Sequence, residues 1–91
     1  MNLSEEQLSE IEEMAGLFFR VEDIADNLEL SMEELEDLLL DVHLKQGDFY
    51  KAYRRGWLTS EVKLRKAIEK AAENGSNPAQ QMLLDFQKQS Q

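Results

Sequence analysis

The chain has 91 residues, of which 42% are hydrophobic and 32% charged, with no cysteine and a formal net charge of −9 at neutral pH. Such a length suits one small domain with a modest core, and the lack of cysteine excludes a disulfide framework, a thiolate zinc site and a thiol nucleophile. Net acidity opposes generic binding to nucleic acid or to an anionic membrane, because proteins neutralise both with Lys and Arg.

One proline, four glycines and no alternating apolar and polar runs predict an all-α chain. Ser4 with Gln7 three residues on forms a capping-box start, after which Leu8, Ile11, Ala15 and Phe18 recur at helical spacing. Val21, Ile24, Ala25 and Leu28 give a short second helix one apolar stripe. Ser31 with Glu34 repeats the capping box, and Leu35, Leu38, Leu39 and Val42 form the buried face of a third helix. Gly47-Asp48 marks a break or a kink before a short fourth helix that buries Phe49, Ala52 and Tyr53 and ends near Gly56. Thr59 or Ser60 then caps a fifth helix with Leu64, Ala67, Ile68 and Ala71 inward and Gly75 as its stop. Asn77 before Pro78 starts a last helix through Ala79, Met82, Leu83 and Phe86. The whole reads as a single small helical domain, 1–91, with an N-terminal helix-turn-helix and about three further short helices.

Charge divides the chain unevenly. Residues 1–44 hold 14 Asp and Glu against Arg20 alone, and residues 45–91 hold 9 Lys and Arg against 5 carboxylates. The acidic half carries the helix-turn-helix pattern: Ala25 is the small residue at the crossing, Ile24, Leu28, Leu30, Leu35 and Leu38 lock the facing sides, and residues 29–31 make the turn. Glu29 occupies the turn position most often filled by glycine, which meets a positive φ easily. The third-helix residues that would enter a DNA groove are Met32, Glu33, Glu36, Asp37 and Leu40, with no Arg, Lys, Asn or Gln among them. Those four types do most of the reading of bases and phosphates, so Glu33, Glu36 and Asp37 are expected to face solvent or a basic partner.

Beyond the motif, the run IADNLELSMEELEDLL and then DFYKAYRRGWLTSEVKLRKAIEKAAENGSNPAQQMLL, together Ile24 to Leu84, resembles the small DNA-binding proteins of tailed phages and prophages that include terminase small subunits. In that group a helix-turn-helix with a leucine-rich last helix precedes a Phe, Ala-Tyr, Gly segment, a charged helix with Leu-Arg, a Gly-Asn type turn and a short apolar helix. Phe49, Ala52, Tyr53 and Gly56 match here, followed by Leu64 and Arg65, then Ala72, Gly75, Ser76 and Asn77. The resemblance implies a role in phage DNA packaging inside the bacterial host: the small subunit recognises the packaging site, regulates a large ATPase-nuclease subunit and often assembles as a ring. Glu29 and the acidic third helix depart from the group's pattern.

Basic and aromatic residues interleave only in the segment Phe49 to Trp57, a composition suited to phosphate contact and stacking. Lys51, Arg54 and Arg55, with Lys63, Lys66 and Lys70, are the candidate contacts to double-stranded DNA; the plainer reading makes Phe49, Tyr53 and Trp57 a core stripe. His43 reads as a helix-end residue, since one histidine and no cysteine cannot supply a multi-histidine or thiolate metal site. Acid pairs such as Glu33-Glu34 read as solubilising charge, because general acid-base work needs carboxylates tuned by a pocket. No phosphate-binding glycine loop or catalytic triad order is present, so neither an enzyme nor a cofactor is expected. No apolar run nears the roughly 20 residues that span a bilayer, and Met1 leads directly into acidic amphipathic sequence, which reads as cytoplasmic.

Three functions compete. The first is a terminase-small-subunit-like protein that self-associates, its acidic and basic halves meeting head to tail between copies, and touches DNA through the basic half. The second is a helix-turn-helix transcription regulator. The third is an acidic interaction module that occupies a basic partner and binds no DNA.

Overall fold

The computed structural model describes residues 2–90, and among them there are five helices and no strand: α1 (Glu5–Gly16), α2 (Val21–Asn27), α3 (Met32–Leu44), α4 (Gly47–Glu73) and α5 (Asn77–Gln89). The chain packs as two compact units, one ending at Ser60 and the other beginning at Glu61, so that α4 contributes to both.

In the first unit the two serine boxes form in full. Ser4 Oγ accepts from Gln7 N at 3.1 Å while Ser4 N donates to Gln7 Oε1 at 2.9 Å, and Ser31 and Glu34 repeat the pair at 3.1 and 3.0 Å. Each satisfies two otherwise orphaned amides and contributes on the order of 1 kcal/mol. Glu5 and Glu6, and Glu33 and Glu34, add negative charge where the helix dipole favours it. The core is Ile11 and Ala15 from α1, Val21, Ile24 and Ala25 from α2, Leu38 from α3, and Phe49 and Ala52 from α4. Leu28, Leu30 and Leu35 pack against it, so Ala25 at the crossing and all five lock positions serve the packing read from their spacing. Two stripe positions do not: Phe18 lies beyond the end of α1 and is 45% exposed, and Leu39 faces outward.

The turns after α1, α2, α3 and α4 share one hydrogen-bond pattern. A residue with positive φ follows each helix, and the amide after it reaches back five residues: Phe19 N to Met14 O, Leu30 N to Ala25 O, Gln46 N to Asp41 O and Ser76 N to Ala71 O. The left-handed positions are Phe18, Glu29, Lys45 and Gly75, at φ 64°, 56°, 56° and 95°. This closure absorbs the last carbonyls of each helix, and three of the four positions hold residues with a Cβ.

A helix end near Gly56 and a new cap at Thr59 or Ser60 do not occur, since α4 runs unbroken for 27 residues. The Thr59 hydroxyl donates to the Arg55 carbonyl at 2.8 Å, four residues back, so it is satisfied inside the helix rather than at a cap. Gly56 is instead where α1 and α4 touch. A Cβ there would lie 2.0 Å from the Glu12 carbonyl oxygen and 3.0 Å from Glu12 Cα, which only a glycine permits.

In the second unit the C-terminal part of α4 and α5 form a hairpin closed by Gly75. Ser76, not Asn77, is the cap of α5, its Oγ accepting from Ala79 N at 3.4 Å with Pro78 in the first turn. Gln80 Nε2 donates to the Ala72 carbonyl at 3.1 Å, tying the two helices together. Among the described residues of this unit, only the small Ala72 and Ala79 are buried. Leu64 and Ala67, expected inward, are exposed, as is Met82, while Ile68, Ala71, Leu83 and Phe86 are half-buried. Two helices alone share one seam, so few positions of a hairpin can be buried within it.

Candidate partner and nucleic-acid interface

The helix-turn-helix places α3 where its outer side is open. Glu33, Glu36 and Asp37 are all exposed, and so are the apolar side chains interleaved with them, Met32 at 71%, Leu40 at 54% and Leu44 at 52%, with Leu39 at their edge. This face has two parts, a carboxylate array and an apolar stripe. The first repels phosphate, and the second has no use in a hydrated groove of backbone phosphates. His43 sits exposed in the last turn of α3, where a basic side chain suits the helix dipole.

The six candidate cations are exposed, three in each unit. In the first unit Lys51, Arg54 and Arg55 lie within one turn of α4, and two of them have internal partners. Arg55 Nη1 is 3.3 Å from Glu12 Oε2, and the Arg54 guanidinium lies 5.6 Å from the Trp57 ring centre. In the second unit Lys63, Lys66 and Lys70 follow one another along α4. No ion pair among the described residues involves Lys51, Lys63, Lys66 or Lys70.

Of the aromatic residues in the basic segment, Phe49 is fully buried and stacks on Tyr53 at 6.0 Å. Trp57 is half-buried and meets Phe18 edge to face at 5.6 Å. Phe49 is thus unavailable for stacking on a base, whereas Trp57 forms part of an aromatic corner with Phe18. Leu17 and Phe19 beside Phe18 are exposed too.

Two features escaped the sequence reading. The first is a groove of about 880 Å³ in the second unit, walled by Val62, Lys66 and Glu69 of α4 and by Leu83, Leu84 and Phe86 of α5. Arg65 also lines it, with its guanidinium 3.9 Å from the Phe86 ring centre and its Nε 2.9 Å from Glu61 Oε1. The second is the α1–α4 contact at Gly56, to which only the position of the glycine inside an amphipathic stretch could have pointed. Among the described residues no group of His, Asp and Glu could hold a metal ion, and no helix is long and apolar enough to cross a membrane. Compared with protein-family profiles, characterised proteins and solved structures, the chain matches none.

Proposed function

We propose that the chain is a terminase-small-subunit-like phage protein for DNA packaging, which assembles with copies of itself, regulates a large ATPase-nuclease subunit and touches DNA through α4. The observation that carries this reading is the division of labour between helices. α3 exposes three carboxylates among apolar side chains, whereas every candidate cation is on α4 and accessible. A protein built this way holds phosphate with Lys51, Arg54, Lys63 and Lys70, and leaves α3 free for protein contact.

Fluorescence anisotropy with a labelled duplex tests it. Binding is expected at low salt and to weaken steeply as salt rises, since phosphate contacts release counterions. Lys63→Glu with Lys70→Glu is expected to weaken it strongly, and Glu33→Gln with Glu36→Gln to leave it intact or strengthen it. Failure to bind any duplex at low salt, together with capture of a basic protein, would favour an acidic interaction module. The exposed apolar stripe of α3 is the observation on that side.

A further inference from the structure

We infer that the groove between α4 and α5 in the second unit is the seat for α3 of a neighbouring copy, so that subunits join head to tail. The inference rests on the self-association proposed above and names the surfaces that would carry it.

Three observations select this occupant. The first is chemical type on both sides. The outer face of α3 exposes Met32, Leu40 and Leu44 flanked by Glu33, Glu36 and Asp37, and the groove exposes Val62 and Leu84 flanked by Arg65 and Lys66. An amphipathic helix laid into an apolar groove is a recurrent recognition mode, read through residues three and four apart. The second is length. α3 and α5 each have 13 residues, so the wall that α5 provides matches the helix it would receive, both about 20 Å at 1.5 Å per residue.

The third is charge, which decides the direction of pairing. Two α3 faces set against each other would oppose six carboxylates. The mixed pairing instead sets the three carboxylates of α3 against a wall that holds Lys66, which has no ion pair among the described residues, and Arg65, already met by Glu61, with Glu69 the one acid among the lining residues. Like-charge juxtaposition is costly at an interface, so a symmetric dimer through two α3 faces is disfavoured. A contact between two different patches leaves one of each free at the ends of every assembly. It therefore continues until the subunits close into a ring or extend as a filament.

Leu40→Glu and Leu84→Glu test this, each placing a carboxylate on one of the two surfaces. Both leucines are about half exposed, so the folds should survive, and far-UV circular dichroism checks that helicity is unchanged. Leu40→Gln and Leu84→Gln are the milder pair should either charged variant lose helicity. Size-exclusion chromatography with light scattering is expected to show the parent chain as an oligomer and each variant alone as a monomer. The variants mixed in equal amounts are expected to give a dimer and nothing larger, because one intact α3 meets one intact groove. If either variant assembles like the parent, or if the mixture stays monomeric, the docking is wrong while self-association stands. A parent chain that is monomeric at every concentration and salt would remove both.

Discussion

Replacing Gly56 by alanine sets two effects of opposite sign against each other, and the geometry says which prevails. Alanine is the better helix former by about 1 kcal/mol in a helix interior, and Gly56 lies well inside the 27-residue α4. Against that, the new methyl would sit 2.0 Å from the Glu12 carbonyl oxygen and 2.8 Å from its carbon. Both are backbone atoms, which cannot rotate away as a side-chain tip can, so α1 must move off α4 by more than 1 Å. Overpacking of this kind costs about 1–3 kcal/mol and more when backbone must shift, and separation also loosens Ile11 and Ala15, both fully buried on α1. The upper end of that range applies, leaving a net loss of about 2 kcal/mol after the gain in propensity. For a domain of this size that lowers the melting temperature by roughly 8–16 °C. Urea and thermal unfolding followed by circular dichroism at 222 nm measure it. Gly16→Ala is a milder comparison at the same seam: its new methyl would meet the Ser60 hydroxyl at 2.9 Å, a side chain able to turn aside, and the Gly56 carbonyl oxygen at 3.3 Å, a backbone contact needing a shift of only a few tenths of an ångström, so its cost should be clearly smaller than that of Gly56→Ala. A Gly56→Ala protein as stable as the parent, or more so, would mean that α1 and α4 do not meet through that glycine.

Glu29→Gly should stabilise the first unit by several tenths of a kcal/mol to about 1, because the left-handed φ of 56° costs an L-residue about 1–2 kcal/mol and the looser unfolded chain returns part of it; a lower urea midpoint would contradict this. Ser31→Ala should cost about 1 kcal/mol through loss of the cap on α3, and Glu34→Ala less, both read from the same unfolding curves. Phe18→Ala removes the edge-to-face partner of the sole tryptophan, so Trp57 emission should shift to longer wavelength and stability fall by about 0.5–1.5 kcal/mol; an unchanged emission spectrum would contradict the contact.

What the sequence made legible is what repeats locally. The serine boxes, the lock residues of α2 and α3 and the stop at Gly75 follow from spacing and side-chain chemistry within a few residues, and each is found where its pattern put it. Gly56 shows the limit. Within its own helix a glycine flanked by Thr59 and Ser60 has the chemistry of a stop followed by a start, and its actual role depends on Glu12, more than forty residues earlier. The inward positions of the hairpin failed for a related reason. Leu64 and Ala67 keep helical period, but two helices offer only one shared seam, and Ala72 and Ala79 occupy it. The acidic face of α3 was legible as charge from composition alone. Met32 and Leu40 were legible on that face too, whereas the outward positions of Leu39 and Leu44 were not, and the groove between α4 and α5 could not be read before those helices were known to pair.

The left-handed residues that end α1, α2 and α3 bear on how the first unit comes to be folded. Phe18, Glu29 and Lys45 have no intrinsic preference for that backbone region, so the closing backbone bonds, such as Phe18 N to Ala15 O, are all that holds each turn locally. Isolated as a peptide, the α2–α3 segment would lose both its turn and the packing that enforces it, despite a good cap on α3. The turns are instead fixed by the burial of Ile11, Ile24, Leu38 and Phe49 together. Hydrogen exchange in residues 21–44 should therefore follow global unfolding of that unit, with no separate opening of α2 and α3.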